Sequence, residues 1–157
     1  FLVNNDYLLG KFHGLKKDQP RDYFVKERKP EGTLHTYCVN LIYQEIKKHT
    51  HKVEKFRTES PDIIFTNKVG EEIAVEVETG IKAKFNSKKR YHNQKFSERK
   101  KQYEQRCYIF LPTTNLKNSY KRHQLAIIFR LDILKFVELQ FSKRNNTTIV
   151  QMFNSTS

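Results

Sequence analysis

Three carboxylates, Asp62, Glu76 and Glu78, are spaced so that a single hairpin would bring them together. Ile73, Val75 and Val77 alternate with Ala74, Glu76 and Glu78. That is the period of a strand with one face in a core and the other carrying polar groups, so both glutamates share a face. Asp62 to about Thr66 reads as the preceding strand, entered through Pro61, which has no N–H to give to a ladder. With Lys68-Val69-Gly70 as a three-residue turn and glycine in its left-handed position, Asn67 faces Glu71. Counting outward in that register pairs Asp62 with Glu76, and cross-strand partners share a face. Like charges gathered at such range repel unless a cation sits among them. An all-oxygen cluster suits a hard divalent ion such as magnesium.

The elements that position this hairpin follow from periodicity. Leu34, Tyr37, Cys38, Leu41, Ile42 and Ile46 recur at three and four residues, which predicts a helix opened by Thr33 and closed by Lys47 and Lys48 where its dipole favours cations. His35 falls about one position off that stripe, as a solvated or capping residue or as a neighbour of the carboxylates. Lys52 to Thr58 is a weak strand candidate. A basic helix is expected from about Ser87 to Gln105, with Tyr91, Phe96 and Tyr103 touching a core. Cys107 to Leu111 is a continuous apolar run ended by Pro112, the pattern of a buried strand. Thr113 to Ser119 carries turn chemistry, Leu125 to Phe129 reads as a strand, and Asp132 is placed to cap a helix through Val137. Asn145 to Thr147 reads as a loop, Thr148 to Phe153 as an edge strand, and 154–157 as a frayed end. Residues 1–31 show no sustained period and read as an extension or linker, partly packed through Leu8, Leu9, Tyr23, Phe24 and Val25.

Charge sets the class of partner. Thirty Lys and Arg against 17 Asp and Glu give a formal charge of +13 and a pI near 9.7, which favours a polyanion. Between Lys82 and Arg106 ten basic residues face two acids, too lopsided for self-neutralising pairs along a helix, so Lys82, Lys84, Lys88, Lys89, Arg90, Lys95, Arg99, Lys100 and Lys101 are candidate contacts to DNA phosphates. No apolar run is long enough to span a bilayer and no secretory signal is evident, so a cytoplasmic chain with reduced Cys38 and Cys107 is expected. Only His49 and His51 form a close histidine pair, without cysteines to complete a zinc site.

Pro61-Asp62, a turn, then Glu76-Val77-Glu78 resembles the signature of the PD-(D/E)XK nuclease superfamily, in which Pro-Asp on one strand and acidic-x-Lys on the next hold a catalytic metal. Ile73-Ala74-Val75-Glu76-Val77-Glu78-Thr79-Gly80 after Pro61-Asp62-Ile63-Ile64 is similar to nuclease-like domains attached to plasmid, conjugation and mobile-element proteins. The likeness covers about Gly32 to Leu111 and departs at Glu78, which stands where the motif has lysine.

The resemblance implies an α/β (α+β) domain over 32–153. Its restriction-endonuclease-like αβββαβ core would have a mixed central sheet flanked by helices. Asp62, Glu76 and the backbone carbonyl of Val77 would hold magnesium or manganese, with Glu31 and His35 bordering the site. Glu78 would serve as general base or additional ligand, and a lysine from elsewhere, among Lys82, Lys84, Lys95 and Lys100, would replace the motif's positive charge. The implied function is metal-dependent DNA endonuclease activity in a mobile-element or DNA-processing protein. The alternative is an inactive module of the same fold that binds DNA or docks a partner. The rest of a larger polypeptide, or a protein engaging residues 1–31, completes the expected partners. A network in which the carboxylates simply pair with those lysines is the bland reading.

Overall fold

The computed structural model describes residues 7–17, 19–26, 32–56, 60–80, 86–144 and 146–154, without the side chains of 86–89. It is a mixed α and β structure built on a five-stranded sheet. The strands are β3 (Val53–Lys55), β4 (Ile63–Thr66), β5 (Glu72–Val77), β6 (Cys107–Leu111) and β7 (Ala126–Phe129), lying side by side in that order. β4 runs antiparallel to both β3 and β5, whereas β5, β6 and β7 run parallel. The helix Asn86–Tyr103, α2, crosses from β5 to β6, since parallel neighbours cannot be joined by a tight turn.

Both faces of the sheet are covered. On one lies the helix Thr33–Lys47, α1, whose Tyr37, Cys38, Ile42 and Ile46 pack with Ile63, Phe65, Ile73, Val75 and Val77. The helices Ile133–Gln140, α4, and Asn146–Asn154, α5, extend the same layer through Phe136, Val137, Ile149 and Phe153. On the other face α2 sets Phe96 and Tyr103 over Ala74, Cys107, Ile109 and Leu111. Every residue of β6 is buried as a consequence, which is why its sequence is continuously apolar.

The β4–β5 register is the one counted from the sequence. Thr66 pairs with Glu72 and Ile63 with Val75. Asn67 N–H donates to the Glu71 carbonyl at 2.9 Å, and Gly70 occupies the left-handed region at φ 86°. Asn67 Oδ1 accepts from the N–H groups of Val69 and Glu71, so the turn is held by a side chain as well as by glycine.

Several expectations are revised. The first 31 residues contain a hairpin, β1 (Tyr7–Phe12) with β2 (Arg21–Lys26), whose Val25 is buried and whose Phe12 ring stacks on Tyr37 at 4.4 Å. Leu9 and Phe24 sit on its exposed side. Of the weak strand expected over Lys52 to Thr58, Val53–Lys55 is strand, and 57–59 lie outside the described residues. Thr113 to Ser119 is helical rather than a plain turn, a 3₁₀ turn Thr114–Leu116 followed by the helix Lys117–Tyr120, α3. Asp132 stands at the N-cap of α4 without a side-chain capping bond, and that helix runs on to Gln140. Residues 148–153 are helix and not edge strand, because Ile149, Val150 and Phe153 fall on one helical face against the core, overriding their β propensity. Asn146 and Thr147, read as loop, form the first turn of that helix, and Asn154 closes it. No helix among the described residues is long and apolar enough to cross a membrane.

Candidate active site

The carboxylates meet at the carboxyl end of β5, beneath α2. Glu76 is 1% exposed and Glu78 5%, so neither lies on an open polar face as the alternation suggested. What lies over them is a charged stripe. His92, Phe96, Arg99 and Tyr103 recur at four, three and four residues and are all buried, and Lys95 joins them from the same side. Tyr91, expected to face inward, is 64% exposed instead.

Each carboxylate has its own set of partners. Asp62 Oδ2 accepts from the Val77 N–H at 2.7 Å, so the side chain continues the β4–β5 pairing past the strand end. Its Oδ1 lies 3.3 Å from His35 Nε2, which places His35 beside the cluster rather than in a cap. Glu76 is held from two directions, by Arg99 Nε at 2.7 Å on Oε1 and by Lys95 Nζ at 2.6 Å on Oε2. Glu78 Oε2 accepts from the Tyr120 hydroxyl at 2.9 Å and lies 3.4 Å from His92 Nε2, while its Oε1 accepts from Lys95 Nζ at 3.2 Å. Lys95 therefore bridges the two glutamates.

These environments separate the protonation behaviour of the groups. Burial pushes the Glu76 carboxyl up to about 7, with Lys95 opposing and Asp62 reinforcing. Burial also pushes Glu78 up, but the neighbouring His92 imidazole, the Lys95 charge and the Tyr120 hydroxyl outweigh it and hold Glu78 down at about 2. For Lys95 burial opposes the charge, yet Glu76, Glu78 and Asp62 together raise it above the ordinary lysine range, so it stays an ammonium. Burial, with the charge of Glu78, raises the Tyr120 hydroxyl too, which remains protonated and a donor. Glu78 is thus a permanent anion. Both of its oxygens are engaged, by Lys95 on one side and Tyr120 on the other.

The basic helix divides into two sets. Lys95 and Arg99, expected on DNA, point inward to the glutamates. Arg90, Lys100 and Lys101 are exposed, and Lys100 Nζ donates to Gln124 Oε1 at 2.6 Å. Glu31, Lys82 and Lys84, and the side chains of Lys88 and Lys89, lie outside the described residues. His49, of the close histidine pair, stacks on Phe141. Cys38 and Cys107 are free thiols buried in different layers.

His92 and Tyr120 join the site without belonging to any motif. Tyr120 carries no spacing signal, but the recurrence of residues 92, 96, 99 and 103 is helical and legible once charged residues are allowed on an inner face. Among the described residues no three His, Cys, Asp or Glu side chains converge as a ready-made metal cage. The most open members of the cluster are Asp62, His35 and Lys95, with side chains 13, 18 and 19% exposed. No protein-family model, no curated protein and no solved structure matches this chain.

Proposed function

We propose that this chain is a DNA-hydrolysing domain of the restriction-endonuclease-like class, working with magnesium or manganese within a mobile-element or DNA-processing protein. The observation that carries the reading is the position of Lys95. The strand position expected to hold lysine holds Glu78, and an ammonium from α2 lies between Glu78 and Glu76, 3.2 and 2.6 Å away. The order α1, β3, β4, β5, α2, β6 supports the same class.

The donor chemistry fits the ion. Magnesium retains several waters and is commonly held by one or two carboxylates rather than by a full protein cage. Asp62 and Glu76 would hold it, with the Val77 carbonyl as a further oxygen, and the bound ion would supply a more acidic water and neutralise charge on phosphate. Lys95 keeps its proton and presents positive charge to the phosphate. Arg99 fixes the Glu76 carboxylate, His35 borders Asp62, and Glu78 anchors Lys95. Arg90, Lys100 and Lys101 contact the phosphate backbone, adding affinity without sequence preference.

Incubating the folded chain with supercoiled, linear and branched DNA plus magnesium or manganese tests this. Cleavage should occur and should fall by about 100-fold or more in Glu76→Gln and in Lys95→Met, the scale on which electrostatic groups act. Both variants should still bind DNA. No cleavage of any form by folded wild-type protein ends the enzymatic reading.

A second reading is favoured by one specific observation: both Glu76 oxygens are already held by internal cations. On that reading the chain is a DNA-binding or docking module in which Lys95 and Arg99 permanently replace the metal. Calorimetry decides between them. Salt-sensitive DNA binding with no manganese uptake at about millimolar concentration, with or without DNA, establishes the module.

A further inference from the structure

Three carboxylates and two cations are gathered at the end of β5: Asp62, Glu76 and Glu78 against Lys95 and Arg99. Two cations set among three carboxylates leave little net charge to attract a divalent ion. The two cations differ in placement. Arg99 is 8% exposed and bonds Glu76 Oε1 from beneath α2. Lys95 is the more open, 19% exposed at the side chain, on the same footing as Asp62 and His35. It takes the other Glu76 oxygen and one oxygen of Glu78.

We infer that Lys95 is a place-holder cation: its ammonium occupies the position between Glu76 and Glu78 until a DNA phosphate draws it outward, so divalent-ion binding and DNA binding are coupled through this side chain. The inference rests on the proposed metal-dependent reading and adds to it a regulation that the reading does not require. The physical argument is competition. An ammonium 2.6 Å from Glu76 Oε2 excludes a second cation from that oxygen, by contact and by charge. A phosphodiester at the mouth of the cluster offers the flexible lysine a second anion, and the four-carbon stem lets the head move while the backbone of α2 stays in place. Arg99, fixed from below, would keep Glu76 oriented throughout and so acts as a positioning residue. Linkage then requires reciprocity: whatever factor DNA adds to metal affinity, metal adds to DNA affinity.

The test is manganese binding, read by calorimetry or by the electron-spin signal of the free ion, with and without a short phosphorothioate duplex, and in a parallel arm a single strand. Wild type should bind manganese about tenfold or more tightly with either DNA present, within the usual range of such couplings. Lys95→Met removes one positive charge from the cluster and opens the Glu76 oxygen. It should bind manganese without DNA at least as tightly as wild type does with DNA, and DNA should then change its affinity by less than about twofold. Equal wild-type affinity with and without both DNAs overturns the inference and leaves the metal reading standing. So does Lys95→Met binding manganese no more tightly than wild type. No manganese uptake by either protein under any condition overturns both. If Lys95→Met does not fold, the wild-type pair of measurements decides alone.

Discussion

Replacing Glu78 by glutamine should destabilise the protein at neutral pH and do so less and less as the solution is acidified. The carboxyl is 5% exposed, and its proton affinity is displaced from the ordinary 4.5 to about 2 by His92, Lys95 and Tyr120 acting against burial. A displacement of that size corresponds to about 3 kcal/mol of folding stability. Because the folded value lies below the unfolded one, this stability is fully present above about pH 4.5 and is lost as pH falls toward 2. Glu76 has the opposite sign, since its folded value is raised to about 7, so its contribution declines as pH rises from about 4.5 to 7. That slope is common to wild type and variant and largely cancels in their difference. Urea unfolding of both proteins at a series of pH values gives the difference directly. It should be about 3 kcal/mol at pH 7 and shrink by more than half by pH 3. A difference that is small at neutrality, or that stays constant down to pH 3, would refute the assignment of Glu78 as a permanently charged anchor for Lys95.

Three further outcomes are expected. Lys100→Ala with Lys101→Ala should lower the log–log salt slope of duplex DNA binding by about 0.9 for each phosphate no longer neutralised, measured by fluorescence anisotropy across salt concentrations; an unchanged slope would show those exposed lysines to be merely solvated. Gly80→Ala should cost about 1–2 kcal/mol in thermal unfolding, since φ is 83° there and an added Cβ would meet Leu116 Cδ2 at 2.5 Å. Asn67→Ala should cost about 2–3 kcal/mol by the same assay, because it removes the acceptor for two turn N–H groups and leaves the Gln140 side chain short of a partner.

The sequence disclosed most where apolar spacing and local geometry agree. The α1 stripe gave both helix ends, and Gly70 with the Ile73–Val77 alternation gave the register that places Asp62 opposite Glu76. It failed where polarity and placement part company. The inner face of α2 carries His92, Lys95 and Arg99, so a search for apolar residues chose Tyr91 and assigned Lys95 and Arg99 to DNA. Local spacing cannot say that a cation is buried when its partners sit 17 and 23 residues away. The N-terminal hairpin escaped notice because no recognisable two-residue turn lies between its strands, and its inner face borrows Tyr37 from α1. At the other end, β-branched Thr148, Ile149 and Val150 outweighed the helical spacing of Ile149 and Phe153.

The turn between β4 and β5 is also wired to the far end of the chain. Asn67 Nδ2 donates to Gln140 Oε1, Gln140 Nε2 donates to the Tyr108 hydroxyl and to Asn146 Oδ1, and Asn146 Nδ2 donates to the Gln105 carbonyl. Gln140 is wholly buried, and its carbonyl also accepts from the Lys68 N–H. The carboxylate-bearing hairpin is therefore not portable. Grafted into another scaffold, residues 60–80 would carry Asp62, Glu76 and Glu78 but would leave Asn67 facing a site that only α4 completes. A chain cut before Gln140 would strand the same amides without partners. The set of contacts that completes this hairpin reaches from its turn into α5, well beyond the residues that carry the carboxylates.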